Sequence, residues 1–334
     1  LGTYILPWRM FNDLRKNSDG VMVGGICGPD GRLHPSYNVA RPKTGRISSS
    51  GPNAQNVGKD LRKLIVPEPG HCFIGADYDQ IELRLVAAIA RCMKYIAVFQ
   101  GGGDPHAVTA GQIYGHRFLE ELRKSLTPEE WADYQRTGSP VKAGKLKTKI
   151  YESLRTFAKS FVYAVIYGGT ADTIYNTISL AEDDNGKLMF PDMTRGEVKA
   201  AYDAWIRNTP EIPKWWEAVE ITCRKYGFVE EPFLGRRRDF PQFDRNEALN
   251  LPIQGGAAII MGRGLVRLAR RVPFNFDART GIVNQCHDAV TLEVPESEAE
   301  RTAAMVEESL AAHYNGVDFT APASKAVYNW KEAA

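Results

Sequence analysis

CFIGADYDQIELRL, residues 72–85, runs from an apolar stretch through an acidic stop into a helical pattern. Cys72 to Ala76 reads as a buried strand leading into Asp77. From Gln80 to Met93 the apolar residues Ile81, Leu83, Leu85, Val86, Ile89 and Ala90 fit a mostly buried helix entered from that strand. Working outward, a hairpin is expected from Ile282–Cys286 and Val290–Val294, where Val290, Leu292 and Val294 alternate with polar residues and His287, Asp288 and Ala289 occupy the turn. Another is expected over residues 21–39: Val21–Cys27 is apolar, Gly28-Pro29-Asp30-Gly31 is turn chemistry, and Arg32–Val39 returns. Residues 104–230 read as largely helical. Thr127-Pro128-Glu129-Glu130 there forms a capping box, and Gly138, Ser139 and Pro140 end the helix it starts. An apolar, Gly-rich helix follows from Leu251 to Ala269. Sheet at both ends of the chain with helices between predicts an α+β fold interrupted by a helical insertion.

The bulk properties narrow the function less. With 334 residues, 43% hydrophobic and 25% charged, the chain is globular in composition and long enough for one large or two medium domains. A net charge of +2 is too small to mark a nucleic-acid binder by itself, so any such surface is local. Lys142, Lys145, Lys147 and Lys149 form one basic run and Arg236, Arg237 and Arg238 another; runs of this kind are usually solvated faces. Five cysteines without CxxC spacing indicate neither a zinc site nor a disulfide framework, and fit a reducing compartment. No apolar run approaches a membrane span, so no membrane partner is expected. The absence of both a signal segment and an initiating Met reads as a fragment of something longer. Thr44–Asn56, TGRISSSGPNAQN, lacks apolar periodicity and reads as a loop held by its own polar groups and by whatever it binds.

Two aspartates stand at rigid strand ends, Asp77 after the first strand and Asp288 at the hairpin tip. If the strands are neighbours in one sheet, the carboxylates converge as a two-Mg²⁺ site requires, with ions roughly 3.5–4 Å apart. Taken singly, each is as readily an ordinary turn acid. A third segment, RTFAKSFVYAVIYGG (155–169), spaces Arg155, Lys159, Tyr163 and Tyr167 four residues apart, which puts two cations and two aromatic rings on one slowly drifting helix face. That stripe suits a triphosphate, sugar and base in sequence; it also suits a plain helix with an aromatic core stripe and solvated cations.

In order along the chain, DYDQIELRL (77–85), Arg155 with Lys159 and Tyr167-Gly168, and QCHDAVTLEV (285–294) resemble motifs A, B and C of family A DNA polymerases, the bacterial DNA polymerase I type. TGRISSSGPNAQN resembles the segment before motif A, and NLPIQGGAA (250–258) the helix before motif C. The resemblance implies a polymerase right-hand fold with an antiparallel palm sheet, inserted helical fingers and a thumb mostly absent. Residues 1–20 would be a remnant of the thumb–palm junction, 21–100 and 231–334 the palm, and 101–230 the fingers. It further implies template-directed addition of deoxynucleotides to a primer 3′ end with release of pyrophosphate.

Carried over to this sequence, the resemblance implies that Asp77 and Asp288, with the Tyr78 carbonyl, bind two Mg²⁺ ions, for which Mn²⁺ can substitute. Arg155, Lys159 and His106 would hold the triphosphate, Lys159 also protonating the leaving pyrophosphate. Tyr167 would pack beside the nascent base pair, and Tyr163 would replace the hydrogen bond lost when a nucleotide lacks its 3′-hydroxyl. Glu82 would exclude the 2′-hydroxyl; it also reads as the third residue of a capping box opened by Asp79. Arg46, Asn53, Gln55, Asn250, Gln254 and His287 would face primer-template DNA, although each amide also suits a turn. Partners implied are primer-template DNA, deoxynucleoside triphosphates, and a processivity factor or upstream domains. The location implied is the cytoplasm of a bacterium or phage-infected cell, with organellar targeting left open. Three features depart from the pattern: Ala289 stands where motif C usually has Glu, Asn246 where Arg is common, and residues 116–150 are longer than compact fingers need. Ala289, Asn246 and the mostly absent thumb motivate a rival reading, a catalytically weakened, polymerase-like DNA-binding protein. A single-subunit RNA polymerase is disfavoured by Glu82 and the context of motif B.

Overall fold

The surroundings of strand β3 (His71–Asp77) explain why Cys72–Ala76 within it is an unbroken apolar run. It pairs antiparallel with β7 (Ala289–Pro295), and β7 pairs antiparallel with β6 (Gly281–Cys286), giving the sheet order β3-β7-β6. The outer edge of β3 is covered in turn: Phe73 and Val327 exchange backbone hydrogen bonds, and Ser324 bonds Gly75 through both its N–H and its hydroxyl. Cys72 through Ala76 are therefore buried, and no unpaired strand edge is left there. Gly75 has a further role, because a Cβ built on it would lie 1.5 Å from the carbonyl oxygen of Ala333. Helix α14 (Trp330–Ala333) packs onto that bare backbone, with Trp330 and Phe73 in one buried cluster.

The structure, a computed structural model, describes residues 31–39, 41–137, 149–182, 186–190, 192–275 and 279–333. It divides into two compact units. The first holds the described residues up to Ile81, Gln254–Ala312 and those from Phe319 on; the second holds Glu82–Ile253 and His313–Asp318. Residues 1–20, the Val21–Cys27 arm and most of its turn, Gly138-Ser139-Pro140, and Lys142, Lys145 and Lys147 lie outside the described residues.

In the first unit, β1 (Ser36–Asn38) pairs with β2 (Ser48–Ser50), so the stretch expected to be wholly loop contains a strand and, at Ala54–Asn56, a 3-10 turn, with the short helix α1 (Lys59–Arg62) after it. A strand of three residues carries no periodicity by which the sequence could reveal it. Helix α12 (Gly256–Arg271) packs against α13 (Ala299–Leu310), and Gly264 permits the approach: a Cβ there would meet Leu310 Cδ2 at 2.7 Å and the Tyr78 hydroxyl at 3.2 Å.

The second unit is mostly helical and takes in the 104–230 stretch read as helical, with more chain on both sides of it. It contains α2 (from Glu82, the helix spanning Ile81–Ala90), α3 (Met93–Gln100), α4 (Pro105–Tyr114), α5 (His116–Ser125), α6 (Pro128–Thr137), α7 (Lys149–Ile166), α8 (Ala171–Ser179), α9 (Arg195–Asn208), α10 (Glu211–Tyr226) and α11 (Arg245–Asn250). Its core includes Trp205, whose indole N–H donates to the Tyr95 hydroxyl, itself bonded to Thr109. Burial pushes the Tyr95 phenol far above its usual range. The Thr127–Glu130 capping box forms in both directions. Residues 116–137, in surplus over a compact helical domain, fold as α5 and α6. Phe118 and Leu122 are buried in one cluster with Ala107, Ala110, Leu154 and Ala158, against which Trp131 packs. The expected helix over Leu251–Ala269 is interrupted by a π turn at Leu251–Gly255. Pro252 supplies the reason, since it has no N–H to donate in a regular ladder. The Arg236–Arg238 run is mostly paired: β5 (Arg237–Asp239) joins β4 (Phe228–Glu230), Arg237 lies 3.8 Å over the Phe228 ring, and Arg238 bonds Glu247.

Candidate active site

The register of β3 on β7 places Asp77 directly opposite Ala289, and the Tyr78 N–H donates to the Asp288 carbonyl at 3.1 Å. The strands carrying the two aspartates are thus immediate neighbours, and the condition for their convergence is met in the backbone. Both carboxylates act on the Cys286 thiol; that thiol is raised chiefly by burial, and Asp288 and Asp77 add to the rise while Arg62 opposes it. Asp77 is exposed at the strand end and Asp288 half-buried at the tip. The tip is a two-residue loop between the paired Cys286 and Ala289, with His287 exposed at φ 57°. That left-handed conformation is uncommon for a residue with a Cβ and gives the tight reversal the strands need.

Supports that the sequence reading missed surround this pair. The Tyr78 side chain is 3% exposed, and its hydroxyl donates to Leu310 O at 2.5 Å, which anchors the turn after Asp77 on α13. Burial drives its phenol well above the usual range. Gln55, 8% exposed, donates its amide to Ile47 O and Gln285 O, each at 3.0 Å, while Gln285 donates to His287 O. A chain of amides therefore braces the hairpin beneath its tip. Asn53 accepts from Ser49 Oγ at 2.8 Å, and Arg46 is half-buried two residues before β2. Gln254 sits half-buried in the π turn.

In the second unit, α4 packs on α7 and gathers three of the expected nucleotide ligands. His106, 1% exposed, has its ring 5.9 Å from that of Tyr163, and Arg155 donates through Nε to Asp104. Asp104 also caps α4 by accepting from the His106 N–H at 3.0 Å. Lys159 is exposed on the same helix. Tyr167 falls in the turn just after α7, where Gly168 adopts φ +79°. A Cβ at Gly168 would strike Leu249 and Arg245. Arg245 donates to the Gly168 carbonyl and to Glu220 and lies over Trp216, so this arginine braces the turn that carries Tyr167. Asn250 ends α11; its Oδ1 is buried and has no hydrogen-bond partner among the described residues.

Glu82 is half-buried in the first turn of α2. Gln80, at φ 54°, precedes the helix, which begins at Ile81.

Comparison with known proteins places these features in a family context. The family model described as DNA polymerase family A matches residues 1–126 and 133–332. DNA polymerase I of Rhizobium leguminosarum is 27% identical over 98% of this chain and 30% of its own length. DNA polymerase I of Chloroflexus aurantiacus is 30% identical over 98% of this chain and 32% of its own. The chain thus spans about a third of the length of these curated relatives. The solved POL domain of Pol1 from M. smegmatis, in complex with DNA primer-template and dNTP, superimposes with a TM-score of 0.73 at 24% identity, covering 98% of this chain and 52% of that one.

Proposed function

The chain belongs to DNA polymerase family A, and from that premise we propose that it is a template-directed DNA polymerase acting on primer-template DNA and deoxynucleoside triphosphates. The observation that carries the reading is the register that makes the Asp77 and Asp288 strands adjacent. The donor set supports divalent metal: two carboxylates and the Tyr78 carbonyl are hard oxygen ligands, and Mg²⁺ takes few of these and keeps several waters. Such ions, when bound, lower the pKa of an attacking hydroxyl and offset charge on the phosphoryl oxygens.

The chain's own residues do the rest. Asp77 and Asp288 hold the metal side. Arg155, Lys159 and His106 hold the triphosphate; as the primer 3′-oxygen, its proton released to solvent, bonds to the α-phosphorus, the bond from that phosphorus to the bridging oxygen breaks and the Lys159 ammonium gives its proton to the departing pyrophosphate. Tyr167 packs beside the base pair, and Tyr163 supplies a phenol near the sugar. Arg46, Asn250, Gln254 and His287 contact DNA. Gln55 and Asn53 contribute by holding the loop and hairpin in place. Palm is assigned to about 21–100 and 231–334, and fingers to 101–230.

The test is single-nucleotide primer extension at low salt, since phosphate contacts weaken steeply as salt rises. Addition of the complementary deoxynucleotide with Mg²⁺, abolished by chelation and restored by Mg²⁺ or Mn²⁺, is expected. DNA binding without extension under any metal would favour the second reading, a catalytically weakened DNA-binding protein, which Ala289 motivates by leaving motif C without its usual Glu.

Sugar selection offers a second check. Glu82 stands in the first turn of α2, a rigid element, and its carboxylate excludes a 2′-hydroxyl in this reading. Glu82→Ala is expected to relax discrimination against ribonucleotides by about 10- to 100-fold. Unchanged selection, measured as the ratio of kcat/KM for the two sugars, would remove Glu82 from this role.

A further inference from the structure

Asp104 was no part of the site expected from the sequence, yet its carboxylate touches two of the site's residues. One oxygen accepts the His106 N–H at 3.0 Å, and the other accepts Arg155 Nε from 51 residues along the chain. Asp104 is 8% exposed, whereas the Arg155 side chain is 34% exposed, so the arginine runs from a buried anion toward the surface. Pro105 follows at the first helical position, a preorganised start that fixes where His106 leaves the helix. The His106 ring in turn lies beside Tyr163, one turn beyond Lys159 on α7.

Physical chemistry makes this more than a helix cap. A cap needs an acceptor but no charge, and Asn serves there as well as Asp. The charge is used on Arg155. Holding a planar guanidinium by its Nε edge fixes the plane in which its two terminal nitrogens lie, and bidentate recognition of phosphate depends on that plane. Ordering a free arginine at the moment of binding would instead cost side-chain entropy.

We propose that Asp104 is a positioning residue for the nucleotide, one carboxylate that sets Arg155 and His106 together before the triphosphate arrives. This rests on the reading of Arg155 and His106 as triphosphate ligands. Asp104 itself does not touch the reacting atoms; it acts through the two groups it holds.

Asp104→Asn separates the two duties, because the amide oxygen can still cap α4 while the anion facing Arg155 is lost. Equilibrium titration of the full chain with a fluorescent deoxynucleoside triphosphate, and with the matching monophosphate, reads binding without chemistry. Asp104→Asn is expected to weaken triphosphate binding about tenfold and monophosphate binding little, with the Tm close to wild type. Arg155→Ala should weaken it comparably, and the double variant should lose little more than either single change, since both remove one coupled unit. Asp104→Glu should recover part of the loss. Wild-type affinity in Asp104→Asn, or an equal loss for both ligands, overturns the proposal, as does additive loss in the double variant. Primer extension run alongside separates the two claims. Triphosphate binding that depends on Asp104 in a protein that never extends a primer would leave this inference standing and end the polymerase reading. A wild-type protein that binds no triphosphate would end the inference.

Discussion

Asp288→Ala is expected to reduce single-nucleotide incorporation by at least about 10³-fold, roughly 4 kcal/mol of transition-state stabilisation, while leaving the protein folded. The size follows from the role assigned to the carboxylate. Charge accumulates on the phosphoryl oxygens during in-line displacement, and preorganised cationic stabilisation is the largest contribution a protein makes to that step. The fold should tolerate the change because a backbone contact at the tip survives it: the Asp288 carbonyl still accepts from Tyr78 N–H. Paired strands continue on either side through Cys286 and Ala289, and Gln285 still holds the His287 carbonyl. Rapid-quench incorporation, thermal unfolding and DNA binding measured on one preparation would check this. Loss of activity with Tm and DNA affinity retained assigns chemistry to the tip. Activity within tenfold of wild type would show that Asp288 is an ordinary turn acid and that Asp77 lacks its partner.

Gly75→Ala is expected to destabilise the protein by about 3 kcal/mol, an unusually large effect for adding one methyl group. The added Cβ has no vacant volume, since it would lie 1.5 Å from Ala333 O and 2.5 Å from Ala333 C. These are backbone atoms of α14 and cannot rotate aside. Either β3 bends, which strains seven residues paired with β7, or α14 lifts, which exposes Trp330 and breaks its N–H bond to Ile65 O. Denaturant unfolding gives the stability, and the share of the tryptophan emission that Trp330→Phe removes distinguishes the routes: a red shift of that share in the folded state reports α14 lifting. A change in stability below about 1 kcal/mol with unaltered emission would show that the C-terminal packing is looser than this geometry requires.

Much of this architecture could be read in the sequence because it rests on long or strongly patterned segments. CFIGA and the alternation of Val290, Leu292 and Val294 reveal two strands, and the acids at their ends follow directly. The spacing of Arg155, Lys159 and Tyr163 reveals one helix, whereas Tyr167, one step further in the same spacing, already lies in the turn beyond it. What escaped has no local signature. The short strands β1, β2, β4 and β5 are set by partners rather than by their own periodicity. The π turn depends on how Pro252 is accommodated. Gln55 looks like a loop amide until Gln285, 230 residues away, is seen to receive it. Asp104 did leave a trace, an Asp-Pro pair that signals a helix start, but its charge acquires meaning only when Arg155 arrives from a distant helix.

The segment that covers the outer edge of β3 also shields a strand of a kind that pairs between chains. CFIGA is a run of β-prone, uncharged residues of the kind that templates pairing between chains when its edge is bare. Here the 323–327 segment occupies that edge through Phe73, Gly75 and Ala76. Peeling of this cover alone, without loss of the core, would present an adhesive strand to a neighbouring molecule. In that event colloidal lifetime would follow a local opening rather than global unfolding, and the strand that carries Asp77 would be the one whose exposure removes the protein from solution.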